Sequence, residues 1–403
     1  VKLWCDTATQ IEADSLNNEL GGIDRVISIA GNAIMTGYTC PKILWLKNNR
    51  PEEYNKLSTI LLPHDYVNFI MTGVKCMEHG DASGTGFLNI KERNWSVEIL
   101  SALDPDRDLS VCLPPLVRHD HFIGKTSKQF SIDFDLPEGI PVSCGGGDNM
   151  MGAIGTGNVT DGKLTMSLGT SGTLYAYSSK PIIDPKGAIA GFCSSTDGWL
   201  PLLCTMNCTV ATELMRDLVG RSLDEFNNDL DSIPSGSGGL LTIPFFNGER
   251  TPNLPKGKAS LIGLTSQNCT PAYVLRSAVE GATYALRYGL DELSALGLKV
   301  DKIILTGGGA KSPQWRQIVA DIFQLPIQIL KIEEGASFGA ALQALWVLIR
   351  EKDNNIKLDT IITDHLAVDE GKSSLPNLEC KDIYNKGYSD YQNAVNQITP
   401  LFE

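Results

Sequence analysis

The chain has 403 residues, with 42% hydrophobic and 20% charged positions and a formal net charge of −13. That is ordinary composition for a soluble globular protein, and length enough for two or three domains. The acidic balance argues against nucleic acid and anionic membrane surfaces as main partners, while leaving a sugar or a magnesium nucleotide open to a local positive field.

No apolar run reaches membrane-spanning length, and Val1-Lys-Leu-Trp carries no signal-peptide pattern, so a cytoplasmic setting is expected. The ten cysteines are scattered without a CxxC. Cys204 and Cys208 would share one face of a helix, but no histidine lies near them. Buried free thiols in a reducing compartment are the expected reading, with no metal site.

Residues 1–140 mix short helical and extended segments. Residues 6–20 have helical spacing, residues 39–45 read as a loop running into a helix, and residues 61–72 are apolar-periodic. Residues 80–85 read as a polar, glycine-rich loop, and Pro114-Pro115 marks another. From Gly139 the texture changes. Ile140, Val142 and Cys144 alternate as a strand does, and Met150 to Ile154 begins a helix. Leu164–Leu168 and Thr173–Tyr177 flank a Gly-Thr-Ser-Gly turn, which is a hairpin signal. Thr270-Pro271 is an N-cap and first-turn pair opening a long helix, with Gly297 as its C-terminal stop. Ser312-Pro313 starts a further helix, residues 336–349 form another, and a terminal helix carries Tyr384, Tyr388 and Tyr391.

Three glycine turns carry the chemistry. Cys144-Gly-Gly-Gly-Asp148-Asn149 follows the first strand, Ser167-Leu-Gly-Thr-Ser-Gly172 lies in the hairpin, and Thr306-Gly-Gly-Gly-Ala310 closes the apolar strand Ile303-Ile304-Leu305. Glycine lets backbone approach a ligand closely, and amides in such turns hold phosphate. Asp148 has two readings, a general base taking a hydroxyl proton or a cap on the helix that follows; spacing alone favours the cap. The hairpin turn taken alone is a turn, whereas the Gly307–Gly309 run exceeds what a strand-to-helix turn needs. Together the turns and the carboxylate suggest a nucleotide-dependent phosphoryl transferase. Two decoys fall away. Gly124-Lys-Thr-Ser127 has His119 where a P-loop needs its first glycine, and no GxGxxG exists. His119-Asp-His121, in a proline-flanked polar stretch, reads as solvated rather than metal-bound.

Taken together, these segments resemble the FGGY family of carbohydrate kinases, and within it the bacterial xylulokinases. Gly37-Tyr-Thr-Cys-Pro-Lys42-Ile-Leu-Trp45-Leu-Lys-Asn-Asn49 is similar to the family's first signature. Ala259-Ser-Leu-Ile-Gly263-Leu264 with residues 274–280 is similar to the second, with Tyr273 a minor departure. Gly146-Gly-Asp148-Asn149 resembles the segment of the catalytic aspartate, and Gly248-Glu-Arg-Thr-Pro252 that of the bacterial xylulokinases.

The resemblance implies an α/β fold of two lobes with RNase H-like cores of the actin-like ATPase superfamily, ATP and sugar meeting between them. Its domain expectation is a sugar-binding lobe over 1–140, a nucleotide-binding lobe over 141–360 and a docking segment over 361–403. It implies ATP-dependent phosphorylation of D-xylulose with Mg²⁺, Asp148 taking the proton of the C5 hydroxyl. Asn149, Trp4 and Asp6 would hold the sugar, although Thr7-Ala8 replace the basic residue that often follows. Gly169, Thr170 and Ser171 would contact the phosphates of ATP, and Gly308, Gly309 and Ala310 would line the adenosine pocket. Partners are the sugar and ATP, and a homodimer is common in the family. The family's opening Gly-Ile-Asp-x-Gly-Thr turn has no counterpart before Trp4. The expectation is therefore a first lobe incomplete at its N-terminus and an impaired catalyst. The alternatives are a kinase for glycerol, ribulose or gluconate, or a non-catalytic binding remnant.

Overall fold

The hairpin expected around the Gly-Thr-Ser-Gly turn is present: strands Gly162–Leu168 and Gly172–Ala176 pair antiparallel, Leu168 opposite Gly172. It forms the middle of a five-stranded sheet. Leu202–Thr205 extends it on one side, and Val300–Thr306 followed by Ile327–Gln328 on the other. Val300–Thr306 runs parallel to both of its neighbours. The computed structural model describes residues 2–3, 6–332 and 335–402.

The chain forms two compact units, each assembled from separate stretches: Val1–Thr160, Tyr177–Pro201 and Glu334–Leu366 in the first, the remainder in the second. These units differ from the contiguous segments that the change of texture at 140 suggests. Helix Gly335–Arg350 lies in the first unit although it follows the five-stranded sheet in sequence.

In the second unit the core forms between the sheet and the 25-residue helix Pro271–Ala295. Gly289 lets that helix approach, because a side chain there would start 2.6 Å from Leu203 and 3.0 Å from Leu174. Thr270 holds the N-cap position in extended backbone, but its side chain makes no capping bond. Gly297 adopts φ +92° just past the helix end, as expected of a C-terminal stop. The helix over 313–323 begins as read, with Ser312 Oγ accepting from the Trp315 amide at 3.3 Å. The last helix, Lys381–Ile398, buries Tyr384, Tyr388 and Tyr391. Arg276 joins it to the long helix, donating to Glu280 at 3.0 Å and to the Tyr384 hydroxyl at 2.9 Å.

The first unit is mainly helical, with two-stranded pairs and two apolar clusters. Three sequence expectations change here. Residues 39–45 are already helical, since Pro41 sits in the first turn of Thr39–Asn49, where proline costs no hydrogen bond. Residues 80–85 are not a solvated loop. Glu78 accepts from the amides of Gly80 and Asp81 and so starts the short helix His79–Ala82, which runs into a 3₁₀ turn with Ser83 and Thr85 buried. His119 and Asp120 are buried rather than solvated. His119 stacks on Trp346 at 5.8 Å, and Asp120 accepts from Arg118, His121 and Arg350. Burial lowers the His119 pKa to about 4, so it sits neutral at ordinary pH.

Cys204 is in a strand and Cys208 precedes helix Thr209–Leu218, so the two do not share a helix face. The nine described cysteines are free thiols, six of them buried. Among the described residues no helix is long and apolar enough to cross a membrane.

Candidate active site

The first glycine run leaves strand Pro141–Ser143 and ends where helix Asp148–Gly155 begins. Gly147 holds the N-cap position, so Asp148 is the first helical residue and not the cap. Its carboxylate is exposed, with Oδ1 accepting from the Asn149 amide at 2.7 Å. Asn149, next in the same turn, is half-buried.

The turn before Asp148 is held from all sides by side chains distant in sequence. Gln343, fully buried, accepts from the Gly145 amide at 2.9 Å and donates to the Gly145 carbonyl at 3.2 Å. Asn68 donates to the Cys144 carbonyl at 2.7 Å. A side chain on Gly146 would start 2.5 Å from Ser195 Oγ, and one on Gly147 would start 3.2 Å from Asp81 Oδ1. Glycine at 146 and 147 therefore lets these side chains close on the turn. Gly145 has room for a side chain, and it alone of the three needs glycine for its backbone, with φ +68°.

Beneath the turn lies a polar cluster. Glu78, buried, accepts from Ser195 Oγ at 3.0 Å and from the Gly80 amide at 2.7 Å. Burial raises its pKa, against the opposing pull of His64 and the two amides. His64 Nδ1 lies 2.5 Å from Asp81 Oδ2, and its Nε2 lies 3.1 Å from Asp65 Oδ1, close enough for an ion pair but not aligned as a hydrogen bond. Burial pulls the imidazole pKa down, but the bond to Asp81 and the charges of Asp81, Asp65 and Glu78 outweigh it and push it up to about 9. Burial raises Asp65 to about 7.

Asp148 and its supports belong to the first unit; the other two glycine turns belong to the second, and there the structure brings them together. A side chain on Gly307 would start 2.7 Å from the Leu168 carbonyl, and one on Gly309 would start 2.8 Å from Leu168 Cβ. The Gly307–Ala310 turn thus presses on the residue before Gly169. Gly307 takes φ +88°, and Gly308 is exposed with open space beside it, whereas Ala310 is buried. The carbonyls of Gly169 and Thr170 accept from the Thr209 and Cys208 amides at 2.9 and 3.1 Å, which secures the turn and leaves Thr170 exposed.

Asp6 bonds within its own segment: Oδ1 accepts from the Ala8 amide at 2.9 Å and Oδ2 from Lys2 Nζ at 3.4 Å. The Ala8 bond is the main cause of a lowered Asp6 pKa. Trp4 lies outside the described residues. Glu249, in the Gly248–Pro252 segment, is buried, accepting from the Met206 and Arg250 amides at 2.6 and 2.8 Å and from Asn207 Nδ2 at 3.1 Å. That segment is therefore anchored to the end of strand Leu202–Thr205.

Sequence reasoning missed His64, Asn68, Glu78, Asp81, Ser195 and Gln343. None has a local signature of its role; the one available signal was the excess of glycine at 145–147, which announces crowding without naming the neighbours.

Residues 1–155 match the N-terminal domain of the FGGY family of carbohydrate kinases, and residues 164–348 match its C-terminal domain. The chain is similar to the xylulose kinase of Haemophilus influenzae, 42% identical over 397 residues, covering 98% of this chain and 80% of that one. Similarity to the xylulose kinase of Bacillus subtilis is 35% over 349 residues, covering 85% and 68%. Among solved structures it superposes on a xyloylose kinase from Brucella ovis with TM-score 0.90 at 27% identity, covering 99% of this chain and 80% of that one. The xylulose kinase from Bifidobacterium adolescentis superposes at 0.81 and 28%, covering 95% and 82%. The mixed α/β architecture is the one expected for the actin-like ATPase fold. With both family domains matched and close relatives aligned along nearly all of its length, the chain belongs to the FGGY family of carbohydrate kinases.

Proposed function

We propose that the chain transfers the γ-phosphoryl group of ATP to O5 of D-xylulose, yielding D-xylulose 5-phosphate and ADP. The observation that carries this reading is Asp148, an exposed carboxylate at the first residue of a helix, on a turn immobilised by buried side chains. Xylulose as the sugar rests on the relatives' names and on the Gly248–Pro252 segment.

Asp148 accepts the proton of the C5 hydroxyl as that oxygen bonds to the γ-phosphorus and the bond to the β–γ bridging oxygen breaks. Asn149, Asp6 and Trp4 serve the sugar hydroxyls. Gly169, Thr170 and Ser171 hold phosphate oxygens through amides and hydroxyls, and Gly308, Gly309 and Ala310 line the adenosine site. The phosphate turn carries no lysine, so its donors are neutral. Among the described residues no group of three His, Cys, Asp or Glu could hold a metal. Mg²⁺ arriving with ATP would neutralise phosphate charge there.

The test is a coupled ADP-release assay with ATP, Mg²⁺ and D-xylulose, beside glycerol, ribulose and gluconate. Asp148→Ala is expected to lower turnover by roughly 10² to 10⁴-fold. Full turnover in the variant removes Asp148 as the base, and faster turnover of another sugar replaces xylulose.

A further inference from the structure

His64 and Asp81 together span the underside of the glycine turn. His64 Cδ2 lies 3.8 Å from where a side chain on Gly145 would start, and Asp81 Oδ1 lies 3.2 Å from the corresponding point on Gly147. The two residues are joined to each other at 2.5 Å. Both ring nitrogens of His64 face carboxylate oxygens, Asp81 on one side and Asp65 on the other. A neutral imidazole would turn a lone pair toward one of them, whereas an imidazolium donates to Asp81 and holds its positive charge 3.1 Å from Asp65. Three carboxylates (Asp65, Glu78 and Asp81) surround this single cationic group. Each comes from a segment that supports the turn: His64 and Asp65 from helix Pro63–Thr72, Glu78 and Asp81 from the strand and short helix that follow. The other titratable groups facing the cluster are the thiols of Cys76, beside Asp65, and Cys144, beside Glu78.

We propose that His64 and Asp81 form a positioning dyad for the kinase reaction, in which the imidazolium fixes the Asp81 carboxylate beneath Gly147 and so sets the placement of the Asp148 carboxylate. This rests on the reading of Asp148 as the base. Neither residue is a catalytic residue; each acts through the turn. When the imidazole loses its proton, Asp81 and Asp65 lose their shared cation. Their mutual repulsion then loosens the contact at Gly147, and Asp148 loses its placement. Activity therefore carries an alkaline limb set by His64, separate from any titration of the substrate or the base.

The experiment has two arms on the full chain. In the first, NMR follows the His64 ring and the amides of Gly145, Gly146 and Gly147 from pH 6 to 10. The ring is expected to titrate near 9, the glycine amides following at the same midpoint, and His64→Gln is expected to abolish that step in the amides. A ring titrating at about 6.5, or glycine amides that ignore it, overturns the dyad. In the second, kinetics compare wild type, His64→Gln and His64→Lys. His64→Gln is expected to lower kcat roughly ten- to hundredfold with KM for the sugar within about twofold, and to lose the alkaline limb. His64→Lys keeps a cation and is expected to restore most of kcat and move the limb upward. Unchanged kcat and pH profile in His64→Gln overturns the proposal. So does failure of lysine to restore kcat in a variant that melts at the wild-type temperature. Asp148→Ala separates the two readings: turnover persisting there removes the base, whereas the glycine-amide titration reads the dyad without any turnover.

Discussion

His64 is held charged by its surroundings well above the ordinary histidine range. A histidine whose folded pKa is raised above its unfolded value contributes stability that is complete below about 6.5 and is lost as pH rises through the folded value, here about 9. Asp65 is raised as well, to about 7, so its proton is held more tightly in the folded state and that contribution too is lost as pH rises. The two act in the same direction. Folding stability is expected to fall between pH 6 and 9, measured by urea denaturation, and the slope is expected to flatten in a His64→Gln, Asp65→Asn double variant. A wild-type stability that rises over this range contradicts the shifts. Asp148 itself was legible in sequence as a carboxylate after glycines, but spacing alone favoured the wrong one of its two readings, the helix cap. The structure decides the cap question because Gly147, not Asp148, has the extended backbone of an N-cap.

At the scale of elements, the helix that carries Asp148 is fixed by a backbone-to-backbone crossing. A side chain on Gly155 would start 1.8 Å from the Gly335 carbonyl, and one on Gly339 would start 1.8 Å from the Met151 carbonyl. Neither atom is the end of a flexible side chain, so a methyl group forces the two helices apart. Gly339→Ala is expected to destabilise by about 3 kcal/mol, at the upper end for overpacking, read as a drop in the denaturation midpoint. Because Gln343 lies one turn further along the same helix and bonds Gly145, turnover in the folded fraction should fall as well. A variant with wild-type stability contradicts the crossing. The helices themselves were legible, since periodicity and the Pro, Ser and Gly end signals are local. Their pairing was not, because a glycine facing a glycine nearly two hundred residues away leaves no mark on its neighbours.

For the whole molecule, the first unit requires chain from beyond the sheet of the second. Helix Gly335–Arg350 packs on Asp148–Gly155, and Tyr177–Pro201 supplies Ser195 to Glu78 and Gly191 to Asn32, whose side chain both donates to and accepts from it at 2.6 and 2.7 Å. A fragment of residues 1–160 is therefore expected to lack cooperative thermal unfolding by circular dichroism, since it exposes the face covered by helix 335–350 and leaves the Gly145 amide without Gln343. Cooperative unfolding of that fragment alone would show the later stretches to be dispensable.

The hairpin, several of the helices, the three glycine turns and the family to which they belong were determined by sequence, because turn chemistry, capping and hydrophobic period act over a few neighbouring residues. The Gly169–Ser171 turn meeting Gly307–Ala310 across Leu168 was decided by tertiary structure, through the parallel pairing of Val300–Thr306 with Gly162–Leu168. So was the burial of His119 and Asp120 in a stretch whose polarity reads as solvated: their partners, Trp346 and Arg350, arrive from more than two hundred residues away. The supports of Asp148 belong to the same class. Asn68, Asp81, Ser195 and Gln343 gain their roles only when packing places them at the turn, since a hydrogen bond or close contact depends on distance in space and not in sequence.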